Sequence, residues 1–142
     1  MTTTGTTNNL TVYEQACFHS IDDLFHTAYI VLVDADAAEK LVTEICVAGV
    51  QKYDHLEDEA ETRFRLTSDL YHHLKRRLWF CTPNKSALPE HLHAMSKWER
   101  LALAMRFSSG LSAADSVRIC GCTEADFTQI ISSAARKIPF VK

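Results

Sequence analysis

An all-α fold is what this sequence predicts, with an N-terminal three-helix bundle followed by a C-terminal helix-turn-helix domain of about four short helices. Three observations carry that expectation. Apolar residues recur at helical spacing through three long stretches of the first eighty residues. Glycine and proline are scarce, at four and three in 142 residues, too few for the turns of a sheet-rich sandwich. And three helix starts follow one another near the end: Ser96-x-x-Glu99, Ser112-x-x-Asp115 and Thr123-x-x-Asp126. Each sets a hydroxyl at an N-cap and an acid three residues on. The Glu99 pair can close a full capping box, while the two aspartates suit the positive end of a helix dipole.

The first helix is expected over Tyr13 to Leu32, with Tyr13, Cys17, Ile21, Leu24, Phe25, Ala28 and Leu32 on its apolar stripe. Asp34 or Asp36 caps the second, whose stripe runs through Ala38, Leu41, Val42, Ile45, Gly49 and Val50. The acids Asp54 to Glu59 read as a solvated loop and helix start. A third helix follows from about Ala60 to about Leu78, with Ala60, Phe64, Thr67, Leu70, Tyr71, Leu74 and Leu78 inward. Lys75, Arg76 and Arg77 in its last turn suit the negative end of the dipole. Three such helices make one small bundle. The segment CTPNKSAL at 81–88 is the linker, and Pro89-Glu90 opens a short helix by the proline-at-first-turn rule.

In the C-terminal unit Gly110 is expected to end one helix and Gly121 the next, because glycine tolerates the left-handed cap. Only a tight turn fits between Ile119 and Glu124, so two short helices must cross steeply there. Val117, Cys120, Cys122, Phe127, Ile130 and Ile131 are the expected small core.

Charge is uneven. Residues up to Pro83 hold seven Lys/Arg against thirteen Asp/Glu, net −6, and the remainder eight against five, net +3. An acidic front and a mildly basic back suggest two jobs. Five cysteines, an odd number without framework spacing, fit a reducing cytosol. No apolar run approaches the roughly 20 residues that span a bilayer. The Thr/Asn-rich start, residues 1–9, reads as a disordered arm rather than a secretory signal. The expected organisation is therefore that arm, a bundle over 10–80, a linker over 81–88 and a helix-turn-helix domain over 89–142. The expected location is cytoplasmic, with no membrane contact.

Chemistry-bearing motifs are few. No glycine-rich phosphate loop, nucleophile elbow or His-Glu-x-x-His occurs, so an enzyme is not expected. His91-x-His93 and Cys120-x-Cys122 are potential ligand pairs. A one-residue gap points their side chains apart, and structural zinc prefers gaps of about two to four, so neither metal nor cofactor is expected. The acids Glu57, Asp58, Glu59 and Glu61 lack the glycine of a calcium loop. Lys75-Arg76-Arg77 reads as a solvated helix end before it reads as a nucleic-acid patch.

One resemblance orders these features. An Arg-containing amphipathic helix, then Gly-Leu-Ser, the turn, and a helix ending in Ala-Ala-Arg-Lys resemble the promoter −35-reading domain of the sigma-70 family, in its small extracytoplasmic-function type. The residues carrying the likeness are Glu99-Arg100, Leu103, Gly110-Leu111-Ser112, Gly121, Thr123, Phe127 and Ala134 to Lys137. The front half resembles, more weakly, the polymerase-binding and −10-reading domain of that family. There the usual Ala-Glu-Asp-Leu-x-Gln-Glu is replaced by Ala38-Glu39-Lys40-Leu41-Val42-Thr43-Glu44.

The resemblance implies a protein that binds core RNA polymerase and directs it to promoter DNA, with an anti-sigma or other regulatory protein as a further partner. It implies polymerase contacts at Glu39, Lys40, Thr43 and Glu44, and a recognition helix over Thr123 to Lys137. On that helix and its support, Arg118, Thr123, Glu124, Thr128, Gln129, Ser132, Arg136 and Lys137 are the expected DNA-contacting residues, with Arg106 a further phosphate contact. A second reading stays open. Two acids, Glu124 and Asp126, lead the recognition helix, and its cations lie at the far end. Such a helix also fits a sigma-like scaffold that meets polymerase, an anti-sigma protein or its own twin without reading DNA.

Overall fold

The structure is a computed structural model that describes residues 10–80 and 94–137. The described residues form six helices and no strand, so the all-α expectation holds. They are α1 (Val12–Leu32), α2 (Ala35–Tyr53), α3 (Glu59–Phe80), α4 (Lys97–Phe107), α5 (Ala113–Cys120) and α6 (Glu124–Arg136). The expected arm, the linker at 81–88 and the short helix at Pro89 lie outside the described residues.

Local chemistry sets the helix ends. Thr11 and Glu14 close a capping box at α1, the Thr11 hydroxyl accepting from the Glu14 amide and the Glu14 carboxylate accepting from the Thr11 amide. α1 stops where Val33 takes a left-handed conformation, φ 59°, and returns its amide to the Tyr29 carbonyl. Asp34, one of two expected caps, accepts from the Ala37 amide and starts α2. Ser96 and Glu99 close the second capping box, at α4.

α4 corrects one expectation. It ends at Phe107, three residues before Gly110, because the Ser108 and Ser109 amides both turn back to the Ala104 carbonyl. The Ser109 hydroxyl then donates to the Met105 carbonyl. Gly110, at φ 79°, reverses the chain beyond this capped end, and a Cβ there would collide with the Asp23 carboxylate.

α1 is the hub: it packs against α2, α3 and α4, while α4 in turn carries α6. One continuous core draws on α1 to α5, with Leu24, Ala28, Leu41, Leu66, Leu70 and Leu74 from the first three helices beside Leu101, Met105 and Ile119. The stripes read from spacing are rotated in places. On α1 the buried row is Tyr13, Ala16, Ser20, Leu24, Thr27, Ala28 and Val31, and Ile21 is exposed. Val50 on α2 and Ala60 on α3 also face out, and Leu66 is buried instead. With partners on three sides, α1 admits small polar residues whose hydroxyls find partners: Thr27 donates to the Asp23 carbonyl and Ser20 accepts from Arg63 Nε.

The junction of the two halves is fixed by a buried arginine. Arg100 is 1% exposed and donates through Nε to the Ile30 carbonyl (3.4 Å) and through Nη2 to the Val31 carbonyl (3.3 Å). These are orphan acceptors in the last turn of α1, at the negative end of its dipole. Burial holds this guanidinium below its ordinary pKa.

Candidate functional site

The α5–turn–α6 segment is built from three local devices. The Ser112 hydroxyl accepts from the Asp115 amide at 3.1 Å and starts α5. Gly121, at φ 70°, ends it and returns its amide to the Val117 carbonyl at 3.0 Å. Two residues later the Thr123 hydroxyl accepts from the Asp126 amide at 3.0 Å and opens α6. The turn is therefore Gly121-Cys122-Thr123, as tight as the sequence requires.

Packing beneath it differs from the expected core. Phe127 and Ala134 are the buried residues of α6, and Ser116 and Ile119 those of α5. Val117, Cys120, Cys122 and Ile131 are half-buried, and Ile130 is 40% exposed. Ser116 fits inside because its hydroxyl donates to the Met105 carbonyl at 2.9 Å, tying α5 to α4. Apolar spacing could not signal that residue.

With so little of α6 buried, a polar row is left in solvent. Glu124, Thr128, Gln129, Ser132 and Arg136 are all exposed, and the helical turn places them on one side of the helix. Three other expected contact residues are engaged elsewhere. The Thr123 hydroxyl serves as the cap. Lys137 Nζ pairs with the Glu99 carboxylate at 2.8 and 3.0 Å, alongside the Ser133 hydroxyl at 3.2 Å, so Glu99 tethers the end of α6 to α4. Arg118 pairs with Asp115 at 3.3 Å and lies 4.4 Å over the Phe64 ring of α3. Arg106, half-exposed, sits 5.1 Å over the Phe107 ring.

Charge on α6 is polarised. Glu124 and Asp126 stand exposed in its first turn, which favours the helix dipole, and Arg136 stands exposed in its last. Burial pushes Glu99 upward, but hydrogen bonds from Lys137, the Ser96 amide and Ser133 outweigh it and hold the carboxyl below its ordinary value.

A second surface lies on α2. Glu39, Lys40, Thr43 and Glu44 are all exposed, at spacings that make one outward row. The row runs on to Val47, which borders an open apolar groove between α1 and α2. Phe18 (73% exposed), Ile21 (47%), Val47 (66%) and Val50 (49%) line it, with Tyr13, Glu14, Cys17 and Cys46 at its base and side. The sequence carried a signal for this groove: Phe18 fell off the predicted stripe. A third patch closes α3, where His72, Lys75 and Arg76 border a hollow with the exposed rings of Trp79 and Phe80.

Cys120 and Cys122 flank the turn as expected. Burial pushes the Cys120 thiol up to about 11, and it lines one hollow with Tyr71. Among the described residues no cluster of three His, Cys, Asp or Glu is placed to hold a metal ion, and His91 and His93 lie outside those residues. No helix of the described residues is long and apolar enough to cross a membrane. No protein-family model, curated protein or solved structure matches this chain.

Proposed function

We propose that this chain is a sigma-like transcription regulator that binds core RNA polymerase through the outer row of α2 and offers α6 to promoter DNA. The observation that carries the reading is the state of α6. It has two buried residues and an exposed row of Glu124, Thr128, Gln129, Ser132 and Arg136, and it is anchored from behind by Glu99. Thr128, Gln129 and Ser132 offer the donors and acceptors that base edges use, Gln in particular pairing with adenine. Glu124 at the leading end can accept from cytosine. The regulator would act by binding and positioning, with no covalent chemistry.

The second reading, a sigma-like scaffold that binds protein without reading DNA, is favoured by a specific observation. Lys137 and Arg118 are in ion pairs, which leaves Arg136 as the cation of α6 without one among the described residues. Nucleic-acid affinity rests largely on phosphate neutralisation, so such a helix binds weakly at ordinary salt.

Two measurements decide between them. The first is retention of a randomised duplex pool in a low-salt mobility shift. The second is co-purification of polymerase from cell extract. Selection of a sequence that Gln129→Ala releases, with polymerase also retained, supports the first reading. Under it, Arg136→Ala weakens all sequences alike and reduces the log-log salt slope by about 1. Polymerase retained with no sequence selected supports the scaffold. Neither retained rejects the first reading and the polymerase-binding form of the second.

A further inference from the structure

Two thiols, Cys17 and Cys46, line the α1–α2 groove. α1 and α2 come close there because residue 49 has no side chain: a Cβ on Gly49 would run into the Tyr13 hydroxyl and stand 3.1 Å from Leu66 Cδ2. Tyr13 fills that gap and donates its hydroxyl to the Cys46 carbonyl, so the two backbones are tied at this level. One turn along α1, Cys17 lines the same groove as Cys46, so the two thiols face one space between the helices. A disulfide needs Cα atoms about 4.4–6.8 Å apart, which calls for two helices in close approach. Both cysteines are half-buried and line the open groove, within reach of a small oxidant.

We propose that Cys17 and Cys46 form a redox-active dithiol, which hydrogen peroxide converts to an intramolecular disulfide clamping α1 to α2 beneath the groove. The thiolate of Cys17 attacks one peroxide oxygen and the O–O bond breaks. Cys17 becomes a sulfenic acid, and the departing hydroxide takes up the proton that Cys17 had released, giving water. The Cys46 sulfur then attacks the Cys17 sulfur. The S–S bond forms, and the sulfenic oxygen leaves with the Cys46 proton as a second water. The pair loses two electrons and the peroxide gains them.

The surroundings suit that order of events. The Cys46 thiol beside it favours the Cys17 thiolate against burial and the Glu14 charge and brings Cys17 down to about 7, whereas Cys46 is pushed up. One sulfur is therefore the attacking thiolate and the other the resolving thiol. Cys120 differs: it is held protonated by burial. The proposal stands on the α1–α2 geometry and not on the transcription reading.

The test uses the full chain, reduced, desalted and given one equivalent of hydrogen peroxide. It is then alkylated and mapped as peptides without reduction. The expected result is a Cys17–Cys46 linked peptide pair in a monomeric product, with two of the five thiols lost to alkylation. Cys46→Ser should stop at a Cys17 sulfenic acid that dimedone captures. Cys17→Ser should slow peroxide consumption by about tenfold or more. Both cysteines alkylated after treatment would overturn the proposal, and so would a first disulfide at any other pair or between two copies. The wild-type map decides even where a serine variant fails to fold.

Discussion

Single side chains settle more of this molecule than their number suggests, and Arg100 settles most. It is a cation removed from water with no carboxylate partner among the described residues, answered by two carbonyls at the end of α1. Replacing it by alanine leaves a cavity and two unsatisfied acceptors, which should cost about 3 kcal/mol in urea denaturation. Arg100→Met keeps the volume and loses only the donors, so it should cost roughly half as much. Should the methionine variant match the parent, the capping of α1 by Arg100 contributes nothing. Cys17 makes a second prediction at this scale. The groups facing it are Tyr13 and Glu14 on α1 and Cys46 on α2. Since its thiolate is favoured, alkylation of Cys17 should accelerate as pH rises through about 7. An ordinary thiol does so near 8.5. A midpoint above 8 would show that Cys46 gives the thiolate no support.

Among the helices, α6 buries only Phe127 and Ala134. Its far end hangs on Glu99, whose carboxyl sits below its ordinary value in the folded chain. A depressed acid contributes stability that is present above the unfolded pKa and lost as pH falls through the folded one. Loosening of the α6 end should therefore set in as pH falls through the ordinary carboxyl range and finish below it, and hydrogen exchange at the Ala134 to Lys137 amides reads it. Glu99→Gln should abolish that pH dependence. Gly121 and Gly110 make a paired test. Both have positive φ, but a Cβ on Gly121 meets open space while one on Gly110 meets Asp23. Gly121→Ala should cost about 1 kcal/mol and Gly110→Ala clearly more, judged by thermal melts. What was legible beforehand divides along the same line. Caps at Ser96, Ser112, Thr123 and Asp34 and the stop at Gly121 are written in neighbouring residues, so they could be read in advance. The exposed row of α6 followed from them. Ser116, Arg100 and the Cys17–Cys46 juxtaposition depend on which helix lies opposite, and polar or unspaced residues give no periodic signal for that. Ile21 and Val50 were assigned inward for the same reason: their spacing fits, but no helix covers them.

At the scale of the whole chain the question is whether the front bundle and the α5–α6 unit fold as one. Leu101, Met105 and Ile119 lie in the same core as Leu24 and Leu70, and Arg100 caps α1 from α4. Trp79 and Trp98, with ring centroids 6.1 Å apart, face each other across the join of α3 and α4. A core so shared should unfold in one step: tryptophan fluorescence, which reports the join, and far-UV circular dichroism, which reports every helix, should give coincident urea transitions. The sharper form uses Leu24, 1% exposed on α1 and remote in sequence from α6. Leu24→Ala should cost about 3 kcal/mol, and that loss should appear equally in the exchange rates of α2, α3 and α6 amides that open only by global unfolding. If instead α6 kept its protection while α2 and α3 lost theirs, the two halves would be separate folding units. The exposed row of α6 could then move independently of the α2 face. With a single transition, the spacing between α6 and the outer row of α2 is fixed by the core, and whatever binds both must fit that spacing or unfold the join to change it.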